Sequence, residues 1–275
     1  MAILLGLAAA LLYGGADFGG GLLSRRLGSV RVNVVGCSAA AALSLVALAV
    51  APSGPPTLRA TGWGLASGIG GGVGTLMLYR GLARGQMSVV GPVSAVGAAV
   101  LPAIAGLAMG QRLEPLAAAG VVLALPAIAL VAGAGSAGRL RSGLGDGLAA
   151  GTAFGVLFVG LAQAGPHAGL WPIASEQLSS AVIVLGVAIA SREPLRVGLR
   201  SVGLPVLVGL GGMIATLLFF FATQSGTLAT VAILTSLYPG VTVVLARMIL
   251  HERFSLAQRT GLGLAAIAVV AIALN

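Results

Sequence analysis

The chain has 275 residues, of which 58% are hydrophobic and only 8% are charged, and its formal net charge is +9. A soluble domain carries about 25% charged residues, so this composition excludes an ordinary water-soluble protein and indicates a chain that folds in lipid. All fifteen basic residues are arginines scattered between apolar segments, which argues against a nucleic-acid partner.

Ten apolar segments follow one another along the chain. Backbone groups in lipid are satisfied only by helices or closed barrels, and these segments lack the two-residue alternation of a barrel. The predicted fold class is therefore an all-α integral membrane protein with ten transmembrane helices. The predicted spans run at about 2–23, 30–51, 61–79, 87–110, 116–134, 146–165, 171–190, 202–222, 227–250 and 256–274.

The first half of the sequence returns in the second half at an offset of 141 residues. Gly6-Leu7-Ala8-Ala9 returns as Gly147-Leu148-Ala149-Ala150, and Tyr13-Gly14 returns as Phe154-Gly155. Each copy holds five spans, and two copies of an odd-numbered unit must thread the bilayer in opposite directions. Inverted five-helix repeats of this kind are typical of transporters. The predicted units are a first repeat at 1–137, a connecting loop at 138–145 and a second repeat at 146–275.

Arginine is distributed unevenly between the loops. Two arginines, Arg59 and Arg112, lie in gaps after even-numbered spans. Thirteen lie in gaps after odd-numbered spans: Arg25, Arg26, Arg31, Arg80, Arg84, Arg139, Arg141, Arg192, Arg196, Arg200, Arg247, Arg253 and Arg259. Short cytoplasmic loops are enriched in Lys and Arg, so we expect both termini outside the cytoplasm and the protein in the inner (plasma) membrane.

Two further features limit the function. The single cysteine, Cys37, allows no intrachain disulfide and hints at no metal site, and no cofactor is expected. The sequence has no HExxH, GxSxG or Walker motif, so we expect neither an enzyme nor an ATP-driven pump.

Glycines at Gly14, Gly19 to Gly21 and Gly68 to Gly74 give spans one and three small faces, which allow helices to pack closely in lipid.

Asp17 is the first candidate functional residue because it lies deep in span one. A carboxylate at that depth costs several kcal/mol, so it should face a wet cavity or a partner. Tyr13 lies four residues earlier and shares its helix face, and the 141-residue offset pairs these two with Phe154 and Phe158. We expect the two pairs on opposite walls of one central space. Asp17 then contacts substrate or a proton, or it only accepts hydrogen bonds from a neighbouring helix or neutralises Arg80.

The other candidate residues carry weaker signals. Glu176 lies beyond Trp171 and is expected near the hydrated outer interface, with substrate contact as the alternative. Tyr238 precedes a proline in span nine, and Ser94 lies near the prolines of span four. A proline inside a membrane helix frees a backbone carbonyl, which often lines a cavity, or the proline only kinks the helix. Tyr79 is a candidate cavity wall or an interfacial tyrosine.

The ends of spans four and nine resemble a family signature. Gly110-Gln111-Arg112-Leu113 and His251-Glu252-Arg253-Phe254 resemble the Leu-Gly-Glu-Arg-like motif of the EamA-type branch of the drug/metabolite transporter superfamily, followed by Gly120 or Gly261. Gln111 and His251 depart from the usual residues. The resemblance implies a secondary transporter, often an exporter, whose cavity is walled by spans one, three, four, six, eight and nine.

These observations predict a secondary transporter in the lipid bilayer that exports a small organic metabolite, amino acid-like or drug-like, by alternating access. A cavity with few polar groups suits a partly apolar solute better than a sugar phosphate. The alternatives are an uptake carrier for a sugar or metabolite and a non-transporting membrane scaffold or assembly partner. Coupling of transport to protons stays open, and the protein is expected to be a monomer or a homodimer.

Overall fold

A computed structural model describes most of the chain as helices. The described residues are 1–51, 53–84, 87–108, 137–165, 168–194, 198–225, 238–251 and 255–273, with isolated positions between 115 and 130 and at 231 and 235. Within them lie nine helices and no strand: α1 (Ala2–Leu27), α2 (Ser29–Val50), α3 (Leu58–Arg84), α4 (Met87–Ala108), α5 (Ala137–Gln163), α6 (Trp171–Ala190), α7 (Leu199–Ser225), α8 (Tyr238–Leu250) and α9 (Leu256–Ala273).

The helices follow the predicted spans in order. Helices α1 to α4 lie at the first four spans, and α5, α6, α7 and α9 lie at the sixth, seventh, eighth and tenth. Helix α8 covers the second half of span nine. The first half of that span and most of span five, with the motif residues 109–114 and 252–254, lie outside the described residues. The all-helical architecture is confirmed for the described part, and the count of ten spans stays a prediction.

The connection between the two halves differs from the prediction. Residues 138–145 were expected to form a loop, but they belong to α5, which begins at Ala137. Leucine and arginine are good helix formers, so the glycines of this segment do not interrupt the hydrogen-bonded ladder. By contrast, one residue alone separates α1 from α2. This is Gly28, whose φ of 88° suits a residue without a Cβ.

The chain is a multi-pass membrane protein. Among the described helices, five are long and apolar enough to cross a membrane: α1, α2, α6, α5 over Gly143–Gln163 and α7 over Ser201–Ser225. A helix of about 20 residues spans the roughly 30 Å hydrocarbon core. Large apolar side chains such as Leu4, Val50 and Leu207 are more than 60% exposed, which places lipid-facing surface on the outside of the bundle.

Polar contacts at one end of the bundle join the gaps after odd-numbered spans. They are Arg25 with the carbonyl of Leu82 at 3.3 Å, Arg31 with Glu193 at 3.6 Å, and Arg80 Nε with Asp146 Oδ1 at 2.9 Å. The start of α5 therefore lies beside the end of α3, at the end where α1 finishes. Asp146 is the partner of Arg80, so the alternative that Asp17 neutralises Arg80 is wrong.

Contacts at the other end join the gaps after even-numbered spans. Arg59 Nε donates to the carbonyl of Gln163 at 2.9 Å, and the Trp171 indole donates to the carbonyl of Gly54 at 2.8 Å. The second copy of the repeat thus runs opposite to the first through the described helices.

The expected glycine faces form close helix contacts. A Cβ placed on Gly14 of α1 would lie 2.5 Å from the carbonyl oxygen of Tyr238 in α8. A Cβ on Gly68 of α3 would collide with the carbonyl oxygen of Glu176 in α6. Since little hydrophobic drive holds helices together in lipid, such backbone approach supplies the packing contact.

We expect Gly68→Ala to destabilise the protein by about 1–3 kcal/mol, because overpacking forces α3 and α6 apart. Gly62→Ala is the matched control on the same helix, since nothing lies within 4 Å of a Cβ there. Thermal unfolding in detergent should show a lower Tm for the first variant and an unchanged or raised Tm for the second. Equal Tm values for the two variants would contradict the close α3–α6 packing.

Candidate functional site

A cavity lies between seven of the described helices: α1, α2, α3, α5, α6, α7 and α8. Its volume is about 90 Å³. At about 10–15 Å³ for each water, this space holds roughly six to nine water molecules or a small organic solute.

Seven of the eight candidate residues line this one cavity: Tyr13, Asp17, Tyr79, Phe154, Phe158, Glu176 and Tyr238. The pairs from α1 and α5 meet there, as the repeat offset predicts. Ser94 does not line it; this residue is fully buried in α4. Neither the hydroxyl of Ser94 nor that of Tyr238 has a hydrogen-bond partner among the described residues.

Asp17 has no protein partner among the described residues. Its side chain is buried, at 8% exposure, and it makes neither a hydrogen bond nor an ion pair there. Its charge acts on the phenols of Tyr13, Tyr79 and Tyr238. A carboxylate ringed by three phenols and open to a cavity is arranged to receive a ligand.

Glu176 is buried inside the bundle and not exposed on its outer surface, and its position relative to the membrane interface stays a prediction. The residue is 2% exposed and lies on the cavity wall. It lies five residues into α6 from Trp171, about 7–8 Å along the helix axis. Gly68 and Gly71 allow α3 to pack over it, since a Cβ on Gly71 would lie 2.7 Å from Glu176 Oε1.

The wall of the cavity also differs from the one that the family resemblance implies. Helices α2 and α6, at spans two and seven, contribute lining residues, whereas no described residue of α4 does. The polar lining residues that sequence reasoning missed are Asn33, Cys37, Thr75, Gln177, Ser180 and Thr216. Two signals were present in the sequence. Thr75 and Thr216 are 141 residues apart, and Ser180 lies one helical turn after Glu176.

A hydrogen-bond chain fixes the orientation of Tyr13. Its hydroxyl donates to Thr216 Oγ1 at 2.7 Å, and the Thr216 hydroxyl donates to the carbonyl of Gly212 at 3.1 Å. The Tyr13 ring also lies against Tyr238, with centroids 6.2 Å apart and planes at 60°. Tilted aromatic pairs of this kind are favourable, so the contact stabilises this wall.

Two apolar clusters lie on either side of the cavity. The arginine-end cluster contains Phe18, Val32, Leu78, Tyr79 and Leu82, among others. The opposite-end cluster contains Ala40, Leu157, Leu161, Ile173, Met213 and Phe220. The repeat offset relates Val32 to Ile173 and Tyr79 to Phe220, so equivalent positions of the two copies close opposite ends of the space.

The described lining has two acidic side chains, Asp17 and Glu176, and no basic one. Buried charges are normally paired, because an uncompensated carboxylate in an apolar setting costs several kcal/mol. Arg25, Arg59 and Arg80 instead form hydrogen bonds at the two ends of the bundle. The cavity is therefore suited to cations or protons.

The fold and the cavity define a helical membrane protein with an internal site of small-molecule size. Residues 1–133 and 142–274 each match the EamA-like transporter family. The chain belongs to this family, as the sequence resemblance predicted.

Comparison with other proteins adds support for the fold. One solved crystal structure, 17% identical in sequence, superposes with a TM-score of 0.65 over 98% of this chain and 95% of the other. Eighteen solved chains match in all. No curated protein matches the sequence significantly.

Cys37 offers a direct test of the cavity's charge, because it is the single cysteine of the chain and lines the cavity. A negative cavity raises the local concentration of cations by about 10- to 1,000-fold. We expect cationic methanethiosulfonate ethylammonium to modify Cys37 faster than the anionic ethylsulfonate reagent, beyond their rate ratio on a free thiol. The two rates are measured by mass spectrometry, with Cys37→Ser as the unreactive control. A rate ratio equal to that of the free thiol would contradict the negative cavity.

Proposed function

We propose that the protein is a secondary transporter that exports a small organic amine, amino acid-like or drug-like, by alternating access. The observation that carries this proposal is Asp17, a buried carboxylate that opens to the cavity and has no cationic partner among the described residues. Asp17 binds the substrate ammonium in this proposal.

The aromatic lining supports an organic cation over an inorganic one. Tyr13, Tyr79, Phe154, Phe158 and Tyr238 surround the cavity, and the faces of aromatic rings attract cations. A hydrated metal ion instead prefers several oxygen ligands gathered around it. An amine with an apolar or aromatic body satisfies Asp17 and the rings together.

The cavity volume limits the size of the substrate. Space for roughly six to nine waters corresponds to a solute with about as many non-hydrogen atoms. Phenethylamine has the required size, a protonated amine and an aromatic ring, so we choose it as the probe.

The two antiparallel copies supply the means of alternating access. Opening the arginine-end cluster connects the cavity to one side of the membrane, and opening the opposite-end cluster connects it to the other. In the orientation that the arginine distribution favours, the arginine end faces the cytoplasm and both termini lie outside. Export then begins with the arginine end open and Asp17 free to bind an amine.

We expect proteoliposomes containing the protein to show saturable counterflow of phenethylamine and none of the uncharged analogue phenylethanol. Asp17→Asn should reduce the affinity for phenethylamine by about 10- to 100-fold, because a hydrogen bond to a charged group contributes about 1.5–3 kcal/mol. Glu193→Gln is the control, since it neutralises an acid at the bundle end that is paired with Arg31.

The other outcomes separate the alternatives. Counterflow of a sugar or neutral metabolite with no amine transport would support an uptake or metabolite carrier. No flux with any solute would support a membrane scaffold. Accumulation in inverted membrane vesicles, where the cytoplasmic side faces out, would support export.

A further inference from the structure

We infer that Glu176 is the proton-binding site of this carrier, separate from the amine site at Asp17. The inference rests on the proposed transport function and adds to it the coupling ion and the residue that carries it.

The hydroxyl of Ser180 has two acceptor neighbours but only one hydrogen. Its Oγ lies 2.9 Å from the carbonyl oxygen of Gly68 and 3.1 Å from Glu176 Oε1. A backbone carbonyl and an ionised carboxylate both accept and cannot donate, so with Glu176 ionised the single hydroxyl hydrogen is shared between them and each bond is weakened. Two full-strength hydrogen bonds form at once only if Glu176 carries the proton. Glu176 then donates to Ser180, and Ser180 donates to Gly68.

The second carboxyl oxygen of Glu176 points to the same conclusion. Oε2 is buried and has no hydrogen-bond partner in the described part of the chain. Leaving an ionised oxygen buried without a partner is more costly than leaving a neutral one, since the full desolvation penalty falls on a charge. This oxygen belongs to a side chain on the cavity wall, where a proton or water can reach it when the cavity opens.

The backbone around Glu176 is shaped to hold this arrangement. A Cβ on Gly71 would lie 2.6 Å from Ser180 Oγ and 2.7 Å from Glu176 Oε1. A Cβ on Gly68 would collide with the Glu176 carbonyl. Helix α3 therefore has no side chain at the two positions where one would separate the carboxyl group from its hydrogen-bond partners.

No arginine competes for Glu176 among the described residues. The titratable groups within electrostatic range of the Glu176 carboxyl group are Tyr13 on α1 and Cys37 on α2. Two arginines of α3 bind elsewhere, Arg59 to the carbonyl of Gln163 and Arg80 to Asp146. Arg31 of α2 pairs with Glu193 at the end of the bundle, and the cavity-facing part of α7 carries no charged side chain.

This assignment gives a charge-balanced exchange. Without amine, the proton on Glu176 keeps one of the two cavity acids neutral. When a cationic amine binds at Asp17, one proton leaves Glu176 for solvent and leaves a carboxylate, so the total charge of the cavity is conserved. An incoming proton on Glu176 then favours amine release, which is the reciprocal coupling that an exchanger requires.

The first test measures protons released by the purified protein when phenethylamine is added, using a pH indicator in weakly buffered detergent solution. We expect about one proton for each amine bound to the wild-type protein, as reciprocal linkage of the two sites requires. Glu176→Gln should abolish this release for the amine that still binds, and Glu193→Gln should leave it intact. Proton release that persists in Glu176→Gln would overturn the inference.

The second test needs no substrate. Infrared difference spectra between acidic and alkaline samples detect the C=O stretch of a protonated carboxyl group. We expect Asp17→Asn to keep one buried carboxylic-acid band, and we expect Asp17→Asn/Glu176→Gln to lose it. Ser180→Ala should shift the band, because the acid loses its hydrogen-bond acceptor. The same band in both Asp17 variants would overturn the proton site. Failure of phenethylamine binding alone would overturn only the proposed substrate.

Discussion

The described structure depends on one electrostatic constraint: two carboxylates line a membrane-embedded cavity that has no basic side chain in its described lining. A low-dielectric setting penalises such charges unless a counter-charge or a proton offsets them. The protein has fifteen arginines, and the sequence places all of them in or beside the gaps between spans. The compensating cation must therefore come from solution, and this requirement connects the composition of the chain to its proposed transport cycle.

The glycines of α1 and α3 make such a cavity feasible. At Gly14, Gly68 and Gly70 the helix backbones approach until a Cβ would collide with a carbonyl group of a neighbouring helix. Packing without side chains seals the cavity walls, while the bulkier residues that line the remaining space determine its chemistry. The same contacts hold Glu176 beside Ser180, so helix packing and the proposed proton site share residues on α3 and α6.

The two copies of the repeat share the helical scaffold, and the positions at which their residues differ determine the chemistry of the cavity. Thr75 and Thr216 are counterparts, and so are Tyr79 and Phe220, which belong to the clusters at opposite ends. The counterpart of Asp17 is Phe158, so the acid was gained or lost in one copy only. Glu176 has Val35 as its counterpart. Each half thus contributes one acid at a non-equivalent position, which allows one to bind amine and the other to bind a proton.

Much of this arrangement could be predicted from the sequence, because apolar length and the repeat offset are strong signals. They indicated the helices and placed Tyr13, Asp17, Phe154 and Phe158 around one space. The depth of Glu176 could not be predicted, since burial depends on which glycines of another helix lie over it. Asn33 and Ser180 were missed because single polar residues in apolar helices more often serve packing. The helical start of α5 was missed because glycine lowers helix propensity without ending a helix.

The most direct test of the central claim is an experimental structure with bound 4-bromophenethylamine, in which anomalous scattering locates the bromine. We predict that the bromine lies in the cavity among Phe154, Phe158 and Tyr238, and that the ammonium lies within hydrogen-bond distance of Asp17. Bromine signal outside the cavity, or an arginine paired with Asp17 in the ligand-free protein, would contradict it.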